Sequence, residues 1–329
     1  MIERRQFITL LGGALVGWPL SAQAQPSAVR PLIGVLSPLS AAAASRNIAA
    51  LRSALRDLGC VEGRNVTLAL RYGDGSAERM PSLARELVAL NPDVVIAGAT
   101  SGASAAYNAT RSVPIVAIIP EDPVTAGFAQ SIAKPGGNVT GTWNLGDDAL
   151  VGKKLDFFKP AVPDLARVGV MLNPDDPADS VQIPSLPAAA RAVGVTMEVI
   201  VVRDLGNLDA AAAQIMRANV QGLFVGVAPF WLSARTQITA MVARLKLPAV
   251  YGWREFADAG GLMSYGPNLP ELYRQSARVA DRILKGAKPG DLPFELPTRY
   301  ELIVNLKTAK SMGLAIPEAF LLLADEVIE

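Results

Sequence analysis

The chain has 329 residues, with 31 Lys or Arg against 30 Asp or Glu, a single cysteine and no histidine. A charge this close to zero argues against a general nucleic-acid binder or a protein held on an anionic membrane. The missing histidine excludes Ser-His-Asp and Cys-His nucleophile systems and histidine-ligated zinc or iron, and Cys60 alone forms no internal disulfide.

Residues 1–24 read as a bacterial export signal. Arg4-Arg5-Gln6-Phe7-Ile8 is a twin-arginine start. A weakly apolar run follows from Ile8 to Leu20, interrupted by Gly12, Gly13 and Gly17, and Ala22-Gln23-Ala24 is a small-x-small cleavage site. The apolar run is too short for a bilayer core, which takes about 20 residues. Cleavage near Ala24 and a periplasmic destination are expected. Removing the segment takes away Glu3, Arg4 and Arg5, which leaves a formal charge of zero.

Strand and helix patterns then alternate. Leu32–Leu36 is a short apolar strand, and Ile48–Leu58 carries apolar residues at helical spacing up to Gly59. Val66–Leu70 reads as a strand and Pro81–Leu90 as a helix that Asn91-Pro92 ends. Val94–Ala97, a helix over Ser101–Thr110, Pro114–Ile119, a helix near Val124–Ala133 and Val139–Thr142 complete a first set. A second set begins with a helix over Leu150–Phe158 and a strand over Arg167–Leu172. Pro187–Ala192, Thr196–Val202, Leu208–Ala218, Gly222–Val227, Ser233–Leu245, Ala249–Tyr251, Gly260–Ser264, Leu269–Leu284, Tyr300–Val304 and Thr308–Met312 continue the alternation. Such units build parallel sheets with right-handed crossovers. Two sets imply two doubly wound α/β lobes, with a ligand cleft at the carboxyl ends of their strands.

Enzyme motifs fail on inspection. Gly146 to Lys154 superficially suggests a phosphate loop, but the glycine spacing is one residue too long and Lys154 stands where Ser or Thr is required. A helix start with an exposed charged face accounts for it better. Gly73-Asp74-Gly75 lacks the third glycine of a dinucleotide fingerprint and reads as a turn.

The candidate binding residues sit after strands. Ser37 and Ser40 follow the first strand, Thr100 and Ser101 the third, Glu121 and Asp122 the fourth. Hydroxyls and unpaired N–H groups at a helix start hold a carboxylate well, although the same residues are ordinary N-caps. Glu121 or Asp122 would face a ligand ammonium, or form a loop ion pair. In the second half, Phe230, Trp253 and Tyr265 offer cover for an apolar or aromatic group, or pack beneath loops. Arg254 offers a bidentate partner for a carboxylate.

Ordered blocks over nearly the whole chain carry a resemblance. They are Leu58-Gly59-Cys60-Val61-Glu62-Gly63-Arg64-Asn65, Pro135-Gly136-Gly137-Asn138-Val139-Thr140-Gly141 and Gly260-Gly261-Leu262-Met263-Ser264-Tyr265-Gly266-Pro267-Asn268. Ile283-Leu284-Lys285-Gly286, Asp291-Leu292-Pro293, Asn305-Leu306-Lys307-Thr308-Ala309-Lys310 and Ala324-Asp325-Glu326-Val327-Ile328 follow. The chain resembles the ABC-transporter substrate-binding proteins of the tryptophan/tyrosine-type group, with a type I periplasmic-binding fold. Cys60 stands where an aromatic is usual. The resemblance implies solute capture for an inner-membrane permease by a protein that is no enzyme, needs no cofactor and works as a monomer. An amino acid or related small carboxylate is the expected solute. The expected organisation is 31–143 plus about 268–292 for one lobe, and 147–264 plus about 298–329 for the other. An exported carboxylate-based hydrolase or lyase, or a sensor presenting the closed form to a receptor, are the alternatives.

Overall fold

Val94 to Ala97 and Ile115 to Ile119 have no polar face, and a strand of that kind needs cover on both sides. In the computed structural model, which describes residues 30–143 and 147–329, they form β3 (Val94–Gly98) and β4 (Ile115–Ile119), buried throughout. With β1 (Leu32–Ser37), β2 (Thr67–Tyr72) and β5 (Val139–Trp143) they make a parallel sheet in the order β2-β1-β3-β4-β5. Helices α1 (Ala41–Asp57), α2 (Met80–Val88) and α3 (Ala99–Ala109) are its crossovers. Strand β5 lies so close to β4 that only glycine fits at Gly141. A Cβ there would stand 1.9 Å from the Ala117 carbonyl oxygen, and its φ of +146° disfavours any side chain. The expected export segment lies outside the described residues.

The second lobe begins with α4 (Asp147–Ala161). Its strands are β6 (Arg167–Leu172), β7 (Thr196–Val201), β8 (Gly222–Val225), β9 (Ala249–Tyr251), β10 (Met263–Pro267), β11 (Tyr300–Asn305) and β12 (Glu326–Ile328), in the order β12-β11-β10-β9-β8-β6-β7. Its helices up to β10 are α5 (Pro177–Ser180), α6 (Leu186–Val193), α7 (Leu208–Arg217), α8 (Pro229–Ser233), α9 (Arg235–Leu245) and α10 (Arg254–Asp258).

The chain leaves this lobe at Pro267. The Asn268 side chain caps α11 (Leu269–Leu284) by accepting from the Glu271 N–H at 2.8 Å. Helix α11 packs on α1 and against β3, β4 and β5 of the first sheet. Residues 292–296 then run beside β5, with Glu295 N–H donating to Gly141 O at 2.9 Å and Trp143 N–H to Glu295 O at 3.0 Å. The return into the second lobe comes at Tyr300, opposite Pro267. Exit and re-entry share one end of the sheet, so β11 runs antiparallel to β10. This pair departs from the all-parallel expectation. Helices α12 (Leu306–Ser311) and α13 (Glu318–Leu321) complete the lobe.

Other departures are local. Residues 124–133 form turns and no helix. Asp122 Oδ1 accepts from Val124 and Thr125 N–H at 2.8 and 2.9 Å, but Gly127 adopts φ +76° and Pro135 follows within two turns. Cys60 is half-buried and packs against the core's edge. Tyr265-Gly266-Pro267 belongs to β10, and the crossing itself falls at Asn268.

Candidate functional site

A cavity lies where the carboxyl ends of the two sheets face each other. The first lobe supplies Pro38 and Leu39 beyond β1, Asn47 of α1, Gly98 and Ala99 beyond β3, and Ile118 to Pro120 beyond β4. The second supplies Lys154 of α4, Val227 and Pro229 beyond β8, Gly252 and Trp253 beyond β9, and Tyr265 to Pro267 of β10. Leu269, Leu272 and Tyr273 of α11 close one side. Its volume is about 80 Å³.

The wall is apolar apart from a few groups. Tyr273 is buried, its hydroxyl held by the Ser37 hydroxyl, and burial pushes its pKa up to about 12. Trp253 donates its indole N–H to Val227 O at 3.2 Å, which fixes the ring. Tyr265 packs on Phe157 with ring centres 4.9 Å apart. Gly266 is so close to Gly252 that a Cβ would stand 2.0 Å from the Gly252 carbonyl oxygen. Lys154 is 2% exposed, with Nζ 3.4 Å from Gln182 Oε1 and 4.3 Å from the Phe224 ring centre. Asn47 is 1% exposed, and its Oδ1 has no hydrogen-bond partner among the described residues. The lining residues include no carboxylate.

Of the ten residues singled out from sequence, Trp253 and Tyr265 line this cavity. Ser37 lies behind it, orienting Tyr273. Ser40 is the N-cap of α1, accepting from Ala43 N–H at 3.2 Å. Thr100 and Ser101 fall inside the first turn of α3, whose N-cap is Gly98. The Thr100 hydroxyl donates to Glu121 Oε2 at 2.5 Å. Asp122 caps the turn after it. Phe230 packs edge-on against Trp231, with centres 4.8 Å apart. The Arg254 guanidinium is engaged with Glu326 through two 2.6 Å contacts, which hold its pKa above the ordinary range. The charged face expected near Lys153 and Lys154 divides: Lys153 is exposed, whereas Lys154 points into the protein because it occupies the buried stripe of α4 with Val151, Leu155 and Phe158.

Sequence reasoning missed Asn47, Lys154 and Tyr273. Asn47 and Lys154 share a legible mark. Each is a polar residue on the apolar stripe of an amphipathic helix, Asn47 standing with Ala43, Ala44, Ile48 and Leu51.

The lobes also meet around the cavity. Arg46 of α1 pairs with Asp258 of α10, and Asp258 with Arg254, extending the chain of charge to Glu326. Helix α3 touches α5 across the cleft. Glu121 and Asp176 lie within electrostatic reach of one another, beside wall residues Pro120 and Ala178 in the sequence. Burial raises both pKa values, that of Asp176 to about 6, with the charges of Asp179 and Glu121 adding to the rise at Asp176. Asp179, fully buried, accepts from Asn173, Val227 and Ala228 N–H and from the Trp231 indole. It thereby fixes the loop that carries Val227 and Pro229.

The sequence model of the ABC transporter substrate binding protein family matches residues 32–328. The chain belongs to this family. A tyrosine-binding protein of Clostridioides difficile (strain R20291) is 26% identical over 261 residues, which is 79% of this substrate-binding protein and 74% of the relative. The ABC domain from Streptococcus pneumonia solved in complex with L-Trp superposes with a TM-score of 0.83 at 24% identity, over 91% of this chain and 100% of that one. A conserved domain protein from Vibrio cholerae gives 0.82 at 25% identity, over 90% and 99%. The fold is therefore that of two-lobed periplasmic binding proteins, and the family is one of binding proteins rather than enzymes. Among the described residues no group of His, Cys, Asp or Glu is placed to hold a metal, and no helix is long and apolar enough to cross a membrane.

Proposed function

We propose that this substrate-binding protein captures an aromatic amino acid, or a small carboxylate of similar shape, in the periplasm and delivers it to an inner-membrane ABC permease. The cavity carries the reading: an apolar, aromatic-lined space split between two lobes, with a buried lysine in its wall. Lys154 is the one lysine or arginine among the residues lining the cavity, and its ammonium would take the solute carboxylate by a charge-assisted hydrogen bond. Trp253, Tyr265 and Tyr273 cover the side chain. Glu121 and Asp176 flank the wall on opposite lobes, where a solute ammonium would relieve their mutual repulsion. A solute that touches both lobes favours the closed arrangement, since those contacts exist only there. The tyrosine-binding relative and the L-Trp complex of the structural neighbour support the choice of solute class.

The test is titration calorimetry against the standard L-amino acids, with mass spectrometry of the solute co-purified from native periplasm. Aromatic amino acids should bind, and Lys154→Met should weaken them about ten- to hundredfold, the worth of a hydrogen bond to a charged group. Absence of binding by any aromatic amino acid, or an unaffected Lys154→Met variant, would overturn the reading. Replacing Arg4 and Arg5 by Lys tests the export route separately, since secretion of the double variant would exclude twin-arginine export.

A further inference from the structure

Helices α1 and α4 face the cavity from opposite lobes, and each breaks its apolar stripe with one polar residue. Lys154 has a charged partner in the reading above. Asn47 has no such assignment. Its side chain is 1% exposed, it lines the cavity, and its Oδ1 has no hydrogen-bond partner among the described residues. Elsewhere on the wall Leu39, Leu269 and Leu272 are apolar, and the Trp253 indole N–H is already given to Val227 O. A buried amide left unpaired is destabilising, and a hydrophobic residue of similar size would fill the position better. The amide oxygen and nitrogen exchange places by a half-turn of the side chain, so either can be offered to a bound molecule.

We infer that Asn47 is a specificity-determining residue, selecting solutes whose apolar body carries an uncharged hydrogen-bonding group: a phenol or an indole rather than a plain phenyl ring. The inference rests on the aromatic amino acid reading of the cavity and adds a direction to it. The solute carboxylate lies toward α4 of the second lobe, and the polar tip of its ring lies toward α1 of the first. A phenyl ring in this place would leave the Asn47 amide unpaired and sealed from water. A phenol hydroxyl or an indole N–H would pair it. Sites built around such a hydrogen bond reject the analogue that lacks it far more strongly than an apolar wall rejects a change of size.

The experiment measures the affinities of L-phenylalanine, L-tyrosine and L-tryptophan for the wild-type protein and for Asn47→Leu, with Asn47→Ala as a smaller replacement should the first fail to fold. The wild type should prefer tyrosine or tryptophan to phenylalanine by about ten- to hundredfold. The variant should lose that preference, bind phenylalanine at least as well as the wild type, and melt no earlier. Equal affinities in the wild type, or an unchanged preference in a folded variant, would overturn the inference. If none of the three binds, the solute-class reading fails on its own. The co-purified solute then decides Asn47, and an apolar body with no hydrogen-bonding group would overturn the assignment.

Discussion

Replacing Asp179 by Asn removes a single charge and changes the side chain's volume very little, yet it should be among the most damaging substitutions in the second lobe. Oδ1 accepts from Val227 N–H at 2.8 Å, Ala228 N–H at 3.0 Å and Gln182 Nε2 at 3.4 Å, and Oδ2 from Asn173 N–H at 2.8 Å and the Trp231 indole at 2.5 Å. The carboxylate fits over Gly226, where a Cβ would stand 2.3 Å from Oδ1, so it has no room to move away. An asparagine keeps one acceptor oxygen and turns an NH₂ group toward at least two donors, whichever way it sits. Two hydrogen bonds to a charged acceptor are lost, at about 1.5–3 kcal/mol each, or about 3–6 kcal/mol together. Against a total stability of about 5–15 kcal/mol, the thermal midpoint should fall on the order of 10 °C. Asp175→Asn is the control, because among the described residues the Asp175 carboxylate pairs only with the exposed Arg203 and its loss should shift stability by no more than about 0.5 kcal/mol. Differential scanning calorimetry of both variants decides the matter. Midpoints that agree within a degree or two would show that these donors find other partners, and the reasoning would be wrong.

Asp176 predicts a pH dependence. Its pKa rises from 3.8 in a free side chain to about 6 in the fold, so the native state holds this proton more tightly than the unfolded chain. Its contribution is complete below about pH 4 and is lost as the pH rises through about 6, a change of about 3 kcal/mol at most. Denaturation midpoints across that range should fall less steeply in Asp176→Asn, and an unaltered slope would remove Asp176 as the cause. Gly266→Ala places a Cβ 2.0 Å from the Gly252 carbonyl oxygen, so the wall must spread by a substantial fraction of an ångström; solute affinity should drop tenfold or more by the same calorimetric titration, and normal affinity would mean that the wall yields freely. Arg46→Glu breaks the ion pair that joins the lobes, with a loss of about 0.2–1 kcal/mol in binding that fades at high salt; an unchanged affinity at low salt would show that the pair plays no part in closure.

The architecture was legible where burial leaves a one-sided pattern. Val94 to Gly98 and Ile115 to Ile119 are apolar throughout because both faces are covered. The direction of β11 was not, since an apolar run reads alike parallel or antiparallel and only the shared end of the two crossings sets it. Around Val124 the apolar spacing suited a helix, but the positive φ of Gly127 breaks it. At the site, strand-end aromatics led to Trp253 and Tyr265. The hydroxyl rule led instead to Thr100, whose hydroxyl is given to Glu121. Arg254 looked available because its partner Glu326 lies on a strand 72 residues further on. Asn47 and Lys154 went unread because a polar residue in a helix is taken by default for its wet face.

The return of α11 to the first lobe has a bearing on how the molecule is made. The buried faces of α1 and α11 cover each other in part, so Ile48, Leu51 and Leu55, worth roughly 1.5–3 kcal/mol each when buried, lack part of their cover until residues 269–284 arrive. The other lobe waits just as long, because β11 and β12 form one flank of its sheet. During synthesis neither half can become a finished body while the other is still emerging. Both mature together when the last part of the chain is released. A truncation before Leu269 would therefore leave two unfinished lobes instead of one intact and one missing, and the pairing of distant segments makes folding an event of the whole chain, slow to begin and hard to stop halfway.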